Sequence, residues 1–286
     1  MVVISCFDGS SCGQQALLEL GITPSKYYAS EIDRHAMKVT QTNFPNTIQM
    51  GDVSMWRTWG IDWSKVDLIL GGSPCQGFSL TGEQLAFDDP RSKLFFEFAN
   101  LVAYVKGHNP NVKFMLENVR MKAEYLNVIS RFMGVEPMAI NSNVLSACNR
   151  PRNYWFNWHV EQPINNHTYF LDVVDTNSVS NIMGTGWHEW WERNKVQQLS
   201  KQFSAIPGQQ EKGVCFTARM YGNWKGNFIK TSLGLYRKPT KSELAQLCGL
   251  PTNYFDCTSQ RQTEIMTGNG WTIQVIKHIL GAKLWV

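Results

Sequence analysis

Short apolar runs alternate with segments of helical spacing along the first half of the chain, and no other feature limits the possible folds as much. Helical spacing is found between most of these runs, as in Ser10–Leu20 and Ser92–Lys106. Strands and helices in this order predict an α/β fold, with an open and mostly parallel sheet that carries helices on both faces. The predicted strands are Val2–Phe7, Tyr27–Ile32, Thr47–Met50, Val66–Leu70, Lys113–Leu116, Met138–Ser142 and Tyr154–Trp158.

The alternation ends near residue 160. The stretch 161–236 is rich in Gly, Asn, Gln, Lys and Trp, and we expect it to form a small irregular or β-rich region. Helical spacing returns at Thr240–Cys248 and Ile273–Leu280. The expected organisation is therefore three segments, 1–160, 161–236 and 237–286, with the last packing back on the first.

Composition argues against several classes of protein. Seven cysteines occur without a CxxC pair, which disfavours a disulfide scaffold or a zinc cluster and favours a reducing compartment. No run of about 18 apolar residues is present, and the N-terminal MVVISCFDG lacks the regions typical of a signal peptide. We expect a cytoplasmic protein that binds neither a membrane nor a metal ion.

The positive charge of the chain is concentrated in one stretch. Residues 1–160 contain 14 basic and 14 acidic residues, whereas residues 193–241 contain ten basic residues and one acid, Glu211. A local net charge of +9 indicates a polyanionic partner, most simply a nucleic acid. The alternative is a solvated loop region whose charges balance acids elsewhere in space.

Polar or glycine-containing segments follow the predicted strands at their carboxyl ends, where open α/β sheets bind ligands. An acid that closes a second strand commonly holds ribose hydroxyls, but the glycines here do not match the GxGxxG pattern of nicotinamide-binding proteins. Considered in isolation, Gly9 and Gly13 are also compatible with an ordinary strand-to-helix turn. The segments are Asp8-Gly9, Glu31, Gly51-Asp52, Gly71–Cys75 and Glu117-Asn118.

Cys75 lies in a Gly-Gly-Ser-Pro-Cys-Gln turn directly after an apolar strand. A thiol at this edge of the sheet is exposed to ligands, and positive neighbours can lower its pKa to give a nucleophilic thiolate. The alternative is a small buried cysteine, which is the usual position of this residue. The location and the flanking glycines favour the nucleophile.

These residues resemble, in order and in spacing, the motifs of the DNA (cytosine-5) methyltransferases from residue 2 to about 280. The segment GGSPCQGFSLTG at 71–82 is close to the bacterial form of that family's catalytic motif. The residues around 94–98, 149–155 and 270–272 are similar to the animal de novo branch, whereas the short region 161–236 fits a compact bacterial or phage relative. Cys148 departs from the Gln that many bacterial members have at this position.

The resemblance implies a Rossmann-like methyltransferase fold whose first domain binds S-adenosylmethionine. It implies that Phe7 stacks near the adenine, that Glu31 binds the ribose, and that Asp52 with Val53 contacts the adenine. The turn after the first strand and the segment Asn269–Trp271 would close the methionine end. The full implied set is Phe7, Asp8, Gly9, Ser10, Ser11, Cys12, Glu31, Ile32, Asp52, Val53, Gly72, Pro74, Leu94, Asn269, Gly270 and Trp271.

The resemblance, together with the chemistry of cytosine, assigns four catalytic residues. Addition of the Cys75 thiolate to C6 makes C5 nucleophilic, and the charge that develops at N3 and O2 requires an acid and a cationic donor. Glu117 fits the first task and Arg152 the second, while Arg150 is expected to orient Glu117 or to bind a phosphate. The alternatives are a solvated acid at Glu117 and arginines that bind phosphate only.

The implied partner is double-stranded DNA with the target cytosine flipped out of the helix, and we expect a monomer or a homodimer. The region 161–236 is expected to recognise the target. Three other functions stay open: methylation of tRNA, a DNA-binding protein without catalysis, and, least favoured, a nicotinamide-dependent oxidoreductase. The candidate nucleic-acid contacts are Gln76, Ser79, Arg219, Asn223, Lys225 and Lys230.

Overall fold

Seven strands form one sheet in the order β3-β2-β1-β4-β5-β7-β6. The computed structural model describes residues 1–74, 93–200, 204–220 and 226–282. β1 pairs in parallel with β2 and β4, β2 with β3, and β4 with β5, whereas β7 runs antiparallel to β5. The predicted α/β class with a mostly parallel sheet is confirmed. The strands are β1 (Val2–Cys6), β2 (Lys26–Ser30), β3 (Ile48–Gln49), β4 (Val66–Gly71), β5 (Lys113–Val119), β6 (Met138–Asn141) and β7 (Pro151–Phe156).

Helices connect these strands as the alternation predicts. α1 begins directly after the turn that follows β1, and Asp33 caps the N-terminus of α2 by accepting a hydrogen bond from the His35 amide at 2.8 Å. Two short 3-10 helices, Val53–Thr58 and Trp63–Lys65, connect β3 to β4. The helices of this part of the chain are α1 (Cys12–Glu19), α2 (Arg34–Asn43), α3 (Lys93–His108) and α4 (Ala123–Met133).

The chain divides into two compact units. The sheet unit consists of residues 1–140, 151–162 and the chain from Lys277 onward, and the second unit consists of residues 141–150 and 163–276. Of the segment 237–286, residues 237–276 therefore group with the second unit rather than with the sheet. Each unit has its own apolar core, centred on strands β1, β4 and β5 in the first and on Phe170, Trp191 and Phe228 in the second.

The sheet core follows from the strand sequences. Three of the four residues Leu68–Gly71 are large and aliphatic and fully buried, as expected for a central parallel strand covered on both faces. Gly71 ends β4 under the ring of Phe98, where an added Cβ would stand 2.4 Å from the nearest ring carbon. The glycine therefore allows α3 to pack closely at the carboxyl end of β4.

The second unit contains two helices that the sequence pattern does not predict. Its elements are α5 (Thr185–Ser200), β8 (Ile229–Lys230), β9 (Tyr236–Arg237), α6 (Lys241–Leu247), α7 (Gln260–Asn269) and the 3-10 helices Ser142–Val144 and Phe170–Asp172, and α8 (Ile273–Gly281) follows. The expectation of an irregular or β-rich region at 161–236 was therefore wrong for its longest described element, α5. Two aromatic rings connect α5 to the core of this unit. Trp187 and Trp191 stack with centroids 5.3 Å apart, and both contact Phe228.

Candidate functional site

The direction in which successive strands are added to the sheet reverses after β3, so that β1 lies at a topological switch point. The chain runs from β1 to β2 and β3 on one side, and β4 and β5 lie on the other side. In open α/β sheets, the carboxyl ends of strands at such a switch point form the ligand site. The turn after β1 and the residues after β4 occupy this position, so the sequence-predicted site residues of 1–74 converge on one edge of the sheet.

The turn after β1, residues Phe7–Ser11, has an unusual backbone. Phe7, Gly9 and Ser11 have φ angles of 58°, 58° and 59°, in the left-handed region that non-glycine residues rarely adopt. Around Gly9, nothing lies within 4 Å of the position where a Cβ would stand. The turn is therefore an open cradle that a ligand can approach closely. Ser10 and Ser11 within the turn, and Cys12 directly after it, are buried.

Asp8 anchors this turn with a buried carboxylate. Its Oδ1 accepts a hydrogen bond from the Tyr27 hydroxyl at 2.9 Å, its Oδ2 accepts one from the Ser11 hydroxyl, and its amide donates to the Ser30 carbonyl at 3.1 Å. Burial raises the pKa of Asp8 to about 6, and the charge of Glu31 adds to the increase, while hydrogen bonds from Ser11, Ser5 and Tyr27 oppose it. The carboxylate is only 8% exposed, so its main partners are protein hydroxyls.

Glu31 closes β2 beside the same turn. Its Oε2 accepts a hydrogen bond from the Gly9 amide at 2.8 Å, and its Oε1 accepts the amides of Ile32 and Asp33, each at 2.8 Å. Three backbone donors therefore fix the orientation of this carboxylate. The neighbouring Ile32 is 77% exposed, an unusual state for a large aliphatic side chain.

Asp52 and Val53 follow β3. The Asp52 carboxylate caps the 3-10 helix Val53–Thr58 by accepting the Ser54 amide at 2.9 Å, and Val53 is buried in the sheet core. The Ser30 hydroxyl donates to the Gly51 carbonyl at 2.7 Å and joins the ends of β2 and β3. The expected adenine contacts at Asp52 and Val53 stay a prediction, and the capping bond is the role that the structure gives Asp52.

The segment after β4 is tied to the end of β5. Asn118 donates from its side-chain amide to the Ser73 hydroxyl at 3.1 Å, and both residues are buried. Gly72 and Pro74 on either side of Ser73 are partly exposed, and Leu94 at the start of α3 packs against the sheet core. The predicted residues Cys75, Gln76 and Ser79 lie outside the described part of the chain.

Glu117 and Arg152 form an ion pair at the end of the sheet. Arg152 Nε lies 2.8 Å from Glu117 Oε1, and both side chains are largely buried. The expectation that Glu117 follows β5 was wrong, because β5 continues three residues beyond Leu116, to Val119, through its antiparallel pairing with β7. That pairing aligns Glu117 with Tyr154 and Val119 with Arg152, and so brings the acid and the arginine to the same place.

Arg150 has a different environment from Arg152. It lies in the second unit, where its guanidinium donates to the carbonyls of Gly268 at 3.1 Å, Asn269 at 3.3 Å and Phe216 at 3.4 Å. These bonds hold the C-terminal end of α7, whose last residue is Asn269 and which Gly270 and Trp271 follow. The structure thus places Arg150 on backbone carbonyls, while its expected action on Glu117 or on a phosphate stays a prediction.

The basic stretch 193–241 is only partly available to a partner. Lys212 donates to the Ser146 carbonyl at 3.1 Å and to the Thr168 carbonyl, and burial lowers its pKa. Arg237 is fully buried in a two-bond pair with Glu243, with N–O distances of 2.7 and 2.6 Å. Part of the +9 charge therefore holds the second unit together, as the alternative of charges balanced by acids elsewhere expects for Arg237, and the polyanionic partner stays a prediction for the exposed remainder.

The remaining candidates for nucleic-acid contact fall into two groups. Arg219 and Lys230 are exposed on the second unit, and Asn223 and Lys225 lie outside the described residues. Within residues 1–74, 93–200, 204–220 and 226–282, no group of three or more His, Cys, Asp or Glu residues has the arrangement of a metal site. In the same ranges, no helix is long and apolar enough to cross a membrane.

Two site residues escaped the sequence analysis. Tyr27 and Ser73 bond Asp8 and Asn118, but each lies in or next to an apolar strand, where tyrosine and serine ordinarily pack without a specific role. The alternation of side chains along β2 was the available signal for Tyr27, since Tyr27 and Ala29 lie on one face of the strand and Tyr28 and Ser30 on the other.

Comparison with known proteins adds an independent finding. Residues 1–128 match the family of C-5 cytosine-specific DNA methylases. The chain is 26% identical to the type II methyltransferase M.HpaII of Haemophilus parainfluenzae, over 87% of this chain and 80% of that protein. It is 27% identical to the type II methyltransferase M.HhaI of Haemophilus parahaemolyticus, over 88% and 85%. The resemblance predicted from the motifs is confirmed.

Solved structures agree in fold. The Entamoeba histolytica methyltransferase EhMeth superposes with a TM-score of 0.73 at 16% identity, covering 98% of this chain and 96% of that chain. The DNMT2 of Spodoptera frugiperda superposes with a TM-score of 0.68 at 17% identity, covering 98% of both chains. The methyltransferase fold expected from the motifs is therefore confirmed.

Proposed function

We propose that this protein, which carries a C-5 cytosine-specific DNA methylase domain in residues 1–128, transfers a methyl group from S-adenosylmethionine to C5 of cytosine in double-stranded DNA. One observation carries the proposal beyond the family match. Glu117 pairs with Arg152 at 2.8 Å, and its neighbour Asn118 is bonded to Ser73, two residues before Cys75. An acid, a guanidinium and the segment leading to a thiol thus meet at the ligand edge of the sheet.

The cofactor edge fits the methyl donor. The cradle at Gly9 offers open space against backbone, and the fixed carboxylate of Glu31 suits the two hydroxyls of a ribose. The exposed Ile32 and the half-buried Phe7 offer apolar surface for an adenine ring. The resemblance assigns further contacts to the cofactor, at Asp52, Val53, Gly72, Pro74, Leu94, Asn269, Gly270 and Trp271. When bound, the donor supplies an electrophilic methyl group on a sulfonium ion.

The chain's own residues prepare the cytosine. The Cys75 thiolate forms a bond to C6, and the electron pair displaced from the C5–C6 double bond makes C5 nucleophilic. Glu117, as the carboxylic acid, gives a hydrogen bond or proton to N3, and Arg152 donates to O2, where negative charge develops. After methyl transfer, a base removes the C5 proton and the electron pair of that C–H bond restores the C5–C6 double bond. The Cys75–C6 bond breaks to release the thiolate, and N3 returns to Glu117 any proton that it received.

The DNA is held by the second unit. The exposed side chains of Arg219 and Lys230 are available for phosphate contacts, and the sequence adds Asn223 and Lys225 as candidate contacts with the nucleic acid. Gln76 and Ser79, which follow Cys75, are assigned to the flipped nucleotide. We place this activity in the cytoplasm of a bacterium or of a phage-infected cell, as a monomer or homodimer without a metal ion.

The deciding experiment measures which nucleic acid is methylated. We expect bisulfite sequencing of a plasmid co-expressed with the protein to reveal modified cytosines in one sequence context. In vitro, radiolabelled methyl transfer should reach duplex DNA, and the variant Cys75→Ala should lose it while still binding DNA. Transfer to tRNA instead of DNA would move the substrate to RNA, and DNA binding by the wild type without transfer would indicate a regulatory protein.

A further inference from the structure

We propose that Tyr27 is a positioning residue of the turn Phe7–Ser11, which it holds through the carboxylate of Asp8 without contacting the cofactor. This inference rests on the proposed function, because it assigns a residue to the support of the same cofactor site. Tyr27 is the second residue of β2, where it pairs with Val3 of β1, and it is 3% exposed. Its ring therefore cannot reach a bound ligand, and its hydrogen bond to Asp8 connects it to the turn.

The two carboxylate oxygens of Asp8 connect Tyr27 to the turn. Tyr27 donates its hydroxyl to Asp8 Oδ1 at 2.9 Å, and the Ser11 hydroxyl donates to Asp8 Oδ2. One carboxylate thus joins β2 to both ends of the turn. Since Phe7 and Ser11 hold left-handed backbone conformations, they persist only where the surroundings fix them. The side chain of Asp8 is the part of the turn through which such fixing acts.

The middle of the turn is held separately. The Gly9 amide donates to Glu31 Oε2 at 2.8 Å, and the Thr40 hydroxyl of α2 donates to the Gly9 carbonyl at 3.3 Å. Removal of the Tyr27 hydroxyl therefore leaves Gly9 in place and loosens the two ends of the turn, Phe7 and Ser11. A cofactor that stacks on Phe7 and approaches the backbone of the turn should lose affinity because the turn is less preorganised.

The charge of Asp8 gives the proposal a pH signature. Tyr27 and Ser11 bond the ionised carboxylate, whereas burial, and to a smaller extent Glu31, favour its neutral form. The titratable groups that face it are the Tyr27 phenol on β2, Glu31 after β2 and the Cys6 thiol on β1. Loss of the Tyr27 donor raises the pKa of Asp8 further, so the turn should weaken at a higher pH than in the wild type.

The test is calorimetric titration of the full-length protein with S-adenosylmethionine between pH 5.5 and 8.5. We expect Tyr27→Phe to weaken binding about tenfold at neutral pH, and to move the acidic loss of affinity to higher pH. Tyr28→Phe is the matched control, because it removes a hydroxyl from the next residue of β2, which packs in the sheet core. That variant should bind within about twofold of the wild type.

A double-mutant cycle separates action through Asp8 from a general structural effect. In an Asp8→Asn background, Tyr27→Phe should have little further effect, because contacting residues are energetically coupled. Additive losses, or equal binding by Tyr27→Phe and Tyr28→Phe, would overturn the inference and leave the proposed function intact. A wild type that binds no S-adenosylmethionine would overturn the cofactor assignment and the inference with it.

A second variant covers the case in which Tyr27→Phe fails to fold. Site-specific incorporation of 3-fluorotyrosine at position 27 keeps the ring and makes its hydroxyl a stronger donor. We expect it to extend tight binding to lower pH than in the wild type, because the ionised Asp8 is better stabilised. An unchanged pH profile in this protein would overturn the role of Tyr27.

Discussion

The sheet unit is organised by backbone pairing around an apolar core, whereas the second unit depends on side chains that bond backbone across long sequence distances. Asn227 bonds both the amide and the carbonyl of Val214, at 2.7 and 2.9 Å, and Lys212 reaches the carbonyls of Ser146 and Thr168. The sheet unit has such bonds at both edges: Glu31 accepts the Gly9 amide at the ligand edge, and Asn157 bonds the Phe114 amide and the Val112 carbonyl, at 3.0 and 2.9 Å, at the opposite edge. Polar residues thus hold backbone in both units, and at the ligand edge of the sheet some of them also belong to the proposed site.

This difference changes how charge is interpreted. In the sheet unit, the buried charges Asp8, Glu117 and Arg152 lie where the substrate and cofactor are proposed to bind. In the second unit, Arg237 and Glu243 are buried with hydrogen bonds to Asp175, Lys238 and Thr240, and neither residue is a proposed contact of a ligand. Buried charge therefore indicates function only where the topology also forms a ligand site.

The sharpest test of the catalytic edge is Glu117→Gln, which keeps the shape but removes the acid. We expect methyl transfer to fall about 10²- to 10⁴-fold, since a positioned acid contributes rate enhancement of this order. Cofactor affinity should change by less than about threefold. Single-turnover transfer and calorimetric titration of the same protein measure the two quantities.

Glu97→Gln is the control for that experiment, because Glu97 is an acid of the same unit that bonds Trp56 and Arg57 and has no proposed contact with the cytosine or the cofactor. Its turnover should stay near that of the wild type. Equal losses in both variants, or a Glu117→Gln variant limited only by cofactor affinity, would remove Glu117 from the chemistry at N3.

Arg237→Met tests whether buried charge in the second unit is structural. The variant leaves Glu243 buried without its partner, and we expect a loss of about 3–5 kcal/mol in the free energy of unfolding. Arg57→Met in the sheet unit is the matched change, because the Arg57–Glu97 pair measures 2.7 Å with the arginine 54% exposed. Its expected cost is about 1 kcal/mol or less. Urea denaturation of both variants gives the comparison.

The pair can also be removed as a unit. Replacing Arg237 and Glu243 together by apolar residues of similar size should recover part of the stability lost by Arg237→Met, because no buried charge is left alone. A single variant that unfolds as easily as the double variant would contradict this explanation. Equal costs for Arg237→Met and Arg57→Met would erase the contrast between the two units.

The sheet unit could be predicted from the sequence because its signals are local. A central strand such as β4 reads as a short apolar run, and the turns after strands show their polar residues within a few positions. The edge that holds Asp8, Glu31 and Glu117 then follows from topology alone. The end of β5 was missed because it depends on pairing with β7, about 35 residues further along the chain.

The second unit could not be predicted in the same way, because α5 and α7 carry weak local patterns, although α6 was expected. The buried face of α7 is largely polar, with Thr263, Glu264, Thr267 and Gly268 inside, so no apolar period marks it. Gly268 is required there by an approach to the backbone of Thr217 and Ala218, at 2.2 Å from a hypothetical Cβ. Such contacts are set by distant segments and leave no trace in the neighbouring sequence.

Asp8→Asn tests whether the buried charge at the ligand edge lowers the free energy of unfolding. The folded-state pKa of Asp8, about 6, lies above the ordinary value of 3.8, so the folded protein binds the proton more tightly than the unfolded chain. The stability associated with this proton is complete below about pH 4 and is lost as the pH rises through 6. We expect Asp8→Asn to stabilise the protein at pH 8, by about 1–3 kcal/mol, and to have little effect at pH 4.

Thermal unfolding at the two pH values measures the difference. Destabilisation by Asp8→Asn at both values would mean that the bonds to Tyr27 and Ser11 outweigh the cost of burying the charge. The expected result would instead place Asp8 among residues that reduce stability in favour of a binding site, unlike Arg237, whose replacement is expected to destabilise the protein at neutral pH.

The smallest effects concern DNA binding by the second unit. If all ten basic residues of 193–241 contacted phosphates, the slope of log K against log salt would be about −9 from this stretch. Lys212, Arg237 and Lys241 bond protein carbonyls or a carboxylate instead, so we expect a magnitude of about 6 or less.

Arg219→Gln should reduce the magnitude of that salt slope by about one and weaken binding a few-fold. Lys212→Gln should lower stability and leave the slope unchanged, because its ammonium group already has carbonyl partners. The opposite result, a changed slope for Lys212→Gln and none for Arg219→Gln, would show that the lysine trades its internal bonds for phosphate when DNA binds, and cohesion and recognition would then be served by the same charge.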